Sequence, residues 1–384
     1  MSATYANVYP MSQQETYLSQ NNVDFILQLD QSKLLPGSLV VEGEVAVFTN
    51  KDSNTAYAGE DLMYDARAGY HGLFRDLTVE TQTSGILESL LNYPRLVKMA
   101  TVALTLDESL GSESVNSLEG KLMNNEQTRG TFYGRSTTNR YVPFSVKPMF
   151  CLNKASGPIA GSATGQIRIR FRLSPDNEFL FGSDFTGTTG YKIQKLRLRY
   201  MTVPDDMKKQ EVQMETYQTF RSSIDSTNSN VSTYIPGLCS AVHMSFIAQA
   251  DEGIDTKNYL QLALPPGKAP YAYSSVYTGK AYGVERLTYA VSDVDSALVN
   301  FTLESREELV HNGMRSFAMS GNKYGALIRH FNEVDGDCYV LGIPFGGLID
   351  FSKNKFSVEV QTQCSAQTAH VVYIYARCLN TIQA

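Results

Sequence analysis

Along most of the chain, apolar and polar residues alternate one for one. Val23, Phe25, Leu27 and Leu29 fall on one side of such a stretch, with Asp24, Gln28 and Asp30 among the residues between them. Leu39, Val41, Val45 and Val47 repeat the pattern after a Pro36-Gly37 turn. Ile167, Ile169, Phe171 and Leu173 interleave with Arg168, Arg170 and Arg172, and Ile193, Leu196 and Leu198 lie among Lys192, Lys195, Arg197 and Arg199. Phe356, Val358 and Val360, then Val372, Ile374 and Ala376, carry it onward. A period of two with one apolar face predicts half-buried antiparallel strands, so the chain reads as mainly β. Helical signals are few. Ser305 and Glu308 form a capping box ahead of Leu309 and Val310, predicting a helix that stops near Asn312-Gly313. Residues 85–92 and 95–101 each allow a helical turn or two, and 204–210 a short helix at the middle of the chain.

The pattern also occurs twice, in the same order. Leu35-Pro36-Gly37 precedes one alternating strand, and Ile235-Pro236-Gly237 precedes another at 238–248. The run 71–78 is echoed by 282–288, through Gly72, Arg75, Leu77 and Thr78 against Gly283, Arg286, Leu287 and Thr288. Tyr141-Val142 stands before the Ile167 strand as Tyr339-Val340 stands before the Phe356 strand, and each half closes on a strongly alternating stretch, 191–203 and 370–379. Each match is weak alone; their shared order is what counts. A length of 384 residues exceeds what one core usually supports. Each half is nearly twice the size of an immunoglobulin domain, which favours an all-β fold of two tandem jelly-roll β-sandwiches. The boundary falls near Val203-Pro204, giving a first jelly roll at 23–203 and a second at 204–384, with a few short helices in loops. Residues 1–22 carry Tyr5, Tyr9 and Tyr17 among Ser, Gln and Asn, with no sustained alternation. They read as an N-terminal assembly arm whose three tyrosines are candidate contacts.

Composition narrows the function. Charged residues make up 19%, while there are 23 Tyr, 18 Phe and no Trp. Uncharged, tyrosine-rich surface suits protein contacts. A net charge of −6 argues against binding nucleic acid by simple phosphate neutralisation. Two basic stripes, Arg168/Arg170/Arg172 and Lys195/Arg197/Arg199, could face an acidic partner; salt-bridged sheet faces are the plainer reading. The first residues have neither a basic nor an apolar stretch of the secretory kind, and no apolar run reaches the roughly 18 residues of a membrane span. Five cysteines, widely spaced and without CxxC, read as buried free thiols of a reducing compartment.

Catalytic signatures are missing. His71, His243, His311, His330 and His370 are scattered, whereas a cupin-type metal site needs clustered imidazoles. Asp293, Asp295 and Glu304 have the spacing of an EF-hand loop, but Leu298 stands where its glycine must be. The acidic run 333–337 reads as a hairpin turn. Gly267-Lys268 and Gly279-Lys280 are each followed by Ala where a P-loop needs Ser or Thr. No cofactor, metal or catalytic residue is expected.

The run from Phe144 through Lys147-Pro148-Met149-Phe150-Cys151-Leu152-Asn153, then Gly165-Gln166-Ile167-Arg168-Ile169, resembles the double jelly-roll major capsid proteins of the tectivirus–adenovirus lineage. The flavour is closest to virophage and polinton-like virus members. His71-Gly72-Leu73-Phe74-Arg75, Glu88, Asn92-Tyr93 and the stretch 217–226 support the likeness. The resemblance implies homotrimers whose six jelly rolls make a pseudo-hexagonal capsomer, tiling an icosahedral shell around double-stranded DNA. It implies a virion protein made and assembled inside the host cell, not secreted. Its partners would be neighbouring capsomers, penton and minor capsid or cement proteins and, in some members, an internal membrane, with no specific nucleic-acid site. Two other readings stand beside it. A penton or spike protein would use one jelly roll plus an insertion, which the paired repeat opposes. A β-sandwich carbohydrate-active enzyme would need two carboxylates about 5–9.5 Å apart across a cleft, and none stands out.

Overall fold

Alternation becomes strands throughout the computed structural model, which describes residues 3–59, 61–65, 67–103, 117–119, 129–131, 141–206, 211–224, 228–249, 259–260, 284–292, 297–304, 306–318, 341–352, 355–362 and 370–383. Among these residues one sheet belongs wholly to the first half. It contains β1 (Thr4–Val8), β2 (Thr16–Leu18), β4 (Ser32–Leu34), β5 (Val40–Asn50), β6 (Thr55–Ala56), β11 (Val142–Val146), β12 (Ile159–Ala160) and β14 (Gly190–Pro204). Its order is β11-β5-β14-β4-β12, with β1 and β2 also on β14 and β6 on β5. A small ribbon pairs β7 (Met63–Asp65) with β10 (Arg129–Thr131).

A second sheet runs through both halves. Its first-half strands are β3 (Asn22–Leu27), β8 (Phe74–Thr81), β9 (Gly85–Leu90) and β13 (Ile167–Leu173). Its second-half strands are β15 (Glu211–Ile224), β17 (Leu238–Ala248), β20 (Leu341–Asp350) and β22 (His370–Gln383). The order is β20-β17-β22-β15-β9-β8-β13-β3. The third sheet, β16-β21-β18-β19, comprises β16 (Asn228–Thr233), β18 (Val284–Ser292), β19 (Ala297–Leu303) and β21 (Lys355–Thr362).

The inward residues of these sheets make two sandwiches. Val23, Phe25 and Leu27 of β3 and Ile167, Ile169 and Phe171 of β13 pack in one core with Val41 and Val45 of β5 and Ile193 and Leu198 of β14. Val242, Met244 and Phe246 of β17 and Val372 and Ile374 of β22 pack in another with Leu287, Val291, Leu303 and Phe356. The topology repeats: β3-β13-β8-β9 has the sheet order of β16-β21-β18-β19, and β11-β5-β14 with β1 and β2 has that of β20-β17-β22-β15. The two Pro-Gly turns occupy the same place in each repeat, with Gly37 at φ +72° and Gly237 at φ +81°, a conformation that favours glycine.

Several local expectations are corrected. Residues 85–90 form strand β9 rather than a helical turn, because β8 offers their backbone a ladder, Leu77↔Leu90 and Thr78↔Ser89. Helix α1 (Tyr93–Ala103) covers the expected 95–101. Helix α2 (Arg306–Ala318) continues past Asn312-Gly313. Burial of Gly313, Ser316 and Phe317 outweighs glycine's helix penalty of about 1 kcal/mol. Ser305 lies outside the described residues; Glu308 Oε2 accepts the N–H of Glu304 at 3.0 Å, one residue before the N-cap position that a capping box would use. Pro204 ends β14, and 207–210 lie outside the described residues. β22 is not half-buried: every residue from Val371 to Cys378 is buried.

The expected division at residue 22 also changes. β1 runs antiparallel to β14 from Thr4↔Thr202 to Val8↔Leu198, and β2 pairs Thr16–Leu18 with Gln194 to Lys192. β15 holds the corresponding place on β22 in the second repeat. The early residues therefore supply edge strands of the first sandwich. The ladder of β14 gives them backbone partners that the weak alternation did not reveal.

Candidate functional site

The two sandwiches meet where β9 touches β15, in a single parallel bridge between Ser89 and Gln218. One bridge is little backbone pairing, so side chains do most of the joining. A bulge in β9 skips Leu87 in the ladder with β8 and leaves Leu87 buried beside Glu88. Glu88 is fully buried, and its two oxygens accept the backbone N–H groups of Cys151 (2.7 Å) and Tyr217 (2.8 Å). Burial pushes its carboxyl from the ordinary 4.5 up to about 7, against the pull of those donors and of Lys154. Lys154 bonds Glu215 at 2.6 Å and sits 4.6 Å over the Tyr217 ring.

Helix α1 crosses the same junction. The buried Arg95 guanidinium donates to Ser245 Oγ at 2.9 Å and to the Tyr259 carbonyl, and lies 4.9 Å over the Tyr259 ring. Tyr375 Oη donates to the Asn92 carbonyl, and Asn92 Nδ2 donates to Tyr259 Oη, both at 2.9 Å. A buried polar network of this kind holds one relative placement of its parts, since any slip leaves desolvated groups unpaired. The arrangement positions sandwiches; it presents no open catalytic cleft at these residues.

The three candidate tyrosines separate. Tyr5 is 63% and Tyr9 61% exposed, whereas Tyr17 is 1% exposed and packs in the first core. Tyr17 Oη accepts the Gln14 N–H at 3.2 Å. Tyr17 is thus a core residue, a correction to its reading as an assembly contact. Tyr5 lies 5.8 Å from the Arg199 guanidinium, ring to cation. Tyr9 and Tyr17 line a surface cleft of about 560 Å³ with Pro10, Gln13, Gln14, Glu15, Gln194, Lys195 and Leu196. Exposed Met11 and Leu18 belong to the same segment.

Both basic stripes are paired within their sheets, three cations to two carboxylates in each. Arg168 and Arg170 share Asp24 at 2.9 and 3.0 Å, and Arg172 lies 3.7 Å from Asp76. Burial raises the Asp24 pKa, but hydrogen bonds from the two arginines outweigh it and hold the carboxyl below its usual value. Lys195 pairs with Glu44 at 2.9 Å, and Arg197 and Arg199 share Glu42 at 2.7 and 2.8 Å.

His71, His243 and His370 are buried, and His311 is exposed on α2. His71 Nδ1 is 2.7 Å from Tyr93 Oη. His243 is kept neutral by burial, stacked on Phe317 and 2.9 Å from Ser316 Oγ. Among the described residues no three His, Cys, Asp or Glu side chains gather to hold a metal. Cys151, Cys239 and Cys378 are buried free thiols. Cys338, Cys364, His330, Asp293, Asp295, the acidic run 333–337 and both Gly-Lys pairs lie outside the described residues.

No family model and no curated protein matches the chain. Solved structures do. The Faustovirus major capsid protein matches with a TM-score of 0.64 at 10% identity, over 100% of this chain and 90% of that one. PBCV-1 VP54, fitted into a reconstruction of the virophage Sputnik, matches with a TM-score of 0.59 at 12% identity, over 99% and 95%. The mavirus major capsid protein matches with a TM-score of 0.50 at 11% identity, over 98% and 88%. At such identities the likeness is one of fold, and it runs the full length of both sandwiches.

Proposed function

We propose that this chain is the major capsid protein of an icosahedral virus, a structural subunit that acts as a homotrimer and not as an enzyme. The observation that carries the reading is the repeated topology with its head-to-tail junction. Inside the chain, the β9 edge of the first sandwich meets β15 of the second. Their counterparts, β19 in the second repeat and β1 with β2 in the first, lie at the opposite ends. Among the described residues β19 pairs only with β18, and β1 and β2 pair only with β14. A second copy that sets its β1/β2 edge against β19 repeats the contact the chain already makes with itself. Such a contact is heterologous, and it closes a ring when the rotation allows. Three chains give six sandwiches and a pseudo-hexagonal tile.

The same reading makes neighbouring capsomers, penton proteins and minor or cement proteins the partners, with the virion as the destination. The paired stripes on β13 and β14 fit it too, because their cations are already engaged by carboxylates of the same sheets. Light scattering behind a sizing column tests the trimer: the expected mass is three times 42.6 kDa, about 128 kDa. A monodisperse monomer at micromolar concentration overturns the proposal, since permanent interfaces of this class are large. Five copies would indicate a penton.

A further inference from the structure

The second sandwich places two cysteines face to face. In the antiparallel pair β17–β22, Cys239 stands directly opposite Cys378. Opposed residues in antiparallel strands have Cα atoms about 4.5–5.5 Å apart, inside the roughly 4.4–6.8 Å that a disulfide spans. Both are buried free thiols; Cys239 Sγ donates to the Ala241 carbonyl at 3.2 Å and Cys378 Sγ to the Ala376 carbonyl at 3.8 Å. β17 carries an irregularity between Cys239 and Ala241, so its backbone is not held by a uniform ladder there. Cys378 also forms part of the wall of a surface cavity of about 310 Å³, together with Ile86, Leu87, Thr216, Gln218 and Asn380. No charged side chain lines that cavity. Cys378, 2% exposed, is the member of the pair that borders this opening; Cys239, 0% exposed, does not.

We propose that Cys239 and Cys378 are a disulfide-forming modification site, dithiol as folded and bridged on meeting a low-molecular-weight disulfide. Cys378 loses its proton and attacks one sulfur of the reagent R–S–S–R; the S–S bond breaks and one thiol, RSH, departs with that proton. Cys239 then loses its proton and attacks Sγ of Cys378 in the mixed disulfide, forming the Cys239–Cys378 bond and releasing the second RSH. The protein pair gives up two electrons and two protons, and the reagent takes both. Burial pushes the Cys239 thiol up, so it gives up its proton reluctantly, and its attack relies on standing directly opposite Cys378 in the ladder. The bridge ties β17 to β22 around a loop that contains β18, β19, β20 and β21, so it constrains the unfolded second sandwich strongly. It requires nothing of the capsid assignment.

The test uses the full chain, purified with reductant, freed of it, and incubated with glutathione disulfide. Remaining thiols are blocked with N-ethylmaleimide in denaturant, and the unreduced digest is weighed. The expected product joins the Cys239 peptide to the Cys378 peptide while Cys151 carries maleimide. The melting temperature should rise by a few degrees and fall back on reduction. C239A should retain glutathione on Cys378, and C378A should leave Cys239 to maleimide alone. The site is refuted if both thiols of the wild-type chain emerge blocked by maleimide, or if either is joined to Cys338 or Cys364. Because the link is read in the wild-type protein, a variant that fails to fold does not rescue the idea.

Discussion

Protonation of Glu88 sets a pH dependence that one substitution should abolish. The carboxyl is fully buried, and its pKa stands at about 7 against an ordinary 4.5. A folded-state pKa above the unfolded value means that the native chain holds the extra proton between those two pH values. The contribution to stability is therefore fully present below about 4.5 and lost as pH rises through about 7. A shift of this size, at 1.36 kcal/mol per unit, makes the loss between pH 5 and pH 8.5 about 2.5 kcal/mol. Glu88→Gln removes the titration while keeping one acceptor for the two N–H groups of Cys151 and Tyr217. The amide must turn its own donors toward the other N–H, so the variant should be less stable than wild type at pH 5, where an unpaired buried group costs about 1–3 kcal/mol. At pH 8.5 the gap should close or reverse, because only the wild type then holds a buried charge. Urea denaturation of both proteins across this range measures the difference directly, and other titrating groups cancel in it. Parallel curves, with a constant gap, would refute the assignment. A gap that widens with pH would mean that the two N–H donors and Lys154 stabilise the anion more than burial destabilises it.

Three further outcomes follow from burial and exposure. Lys98→Met should cost about 3–5 kcal/mol, because it strips the partner from Asp65, 2.5 Å away in a pair whose side chains are 0% and 2% exposed; denaturant midpoints check it, and a loss below 1 kcal/mol would show that the pair is not needed. Tyr17→Ala should cost about 3–5 kcal/mol as a large-to-small core change, while the doubly substituted Tyr5→Ser/Tyr9→Ser should melt within about 1 °C of wild type and yet assemble fewer shells by electron microscopy.

The strands and the repeat were legible because the sheets of the first sandwich each have one wet face there, which writes a period of two into β3, β13 and β14. Legibility failed wherever tertiary context broke that condition. β22 separates two cores, with Val371, Tyr373 and Tyr375 in one and Val372, Ile374 and Ala376 in the other. Its alternation is therefore of two apolar sets, and only the second was visible against the tyrosines. Glu88 shares the inward parity of Leu90, opposite Val79, and the bulge adds Leu87 beside it; a one-residue insertion in a ladder leaves no trace in hydrophobic pattern. Arg95 opens the expected helical turn 95–101 with nothing local to mark it as buried, because its partners Ser245 and Tyr259 lie some 150 residues away in sequence. Tyr17 sits in a stretch too short and polar to alternate; it is the neighbouring strand β14 that makes it core.

The repeat also says how the contact within a chain should differ from the one between chains. In the ladders, Leu77↔Leu90, Thr78↔Ser89 and Val79↔Glu88 correspond to Leu287↔Leu303, Thr288↔Thr302 and Tyr289↔Phe301. The place of Glu88 in the first repeat is thus taken by Phe301 in the second. A junction formed once, during folding, tolerates a carboxylate that must be desolvated and paired. A contact formed by association would meet that desolvation cost at every encounter, and its strength would swing with pH around 7. No carboxylate stands at the corresponding register position of β19, the edge where a second copy is proposed to dock. The expected consequence is a separation of effects: Glu88→Gln should change the pH dependence of unfolding and leave the dissociation of trimers into single chains unchanged from pH 5 to 8.5. Mass measured on dilution, wild type beside variant, decides it. A trimer that dissociates at a different concentration in the variant would place Glu88 at the contact between chains, and the correspondence of the two junctions would be wrong.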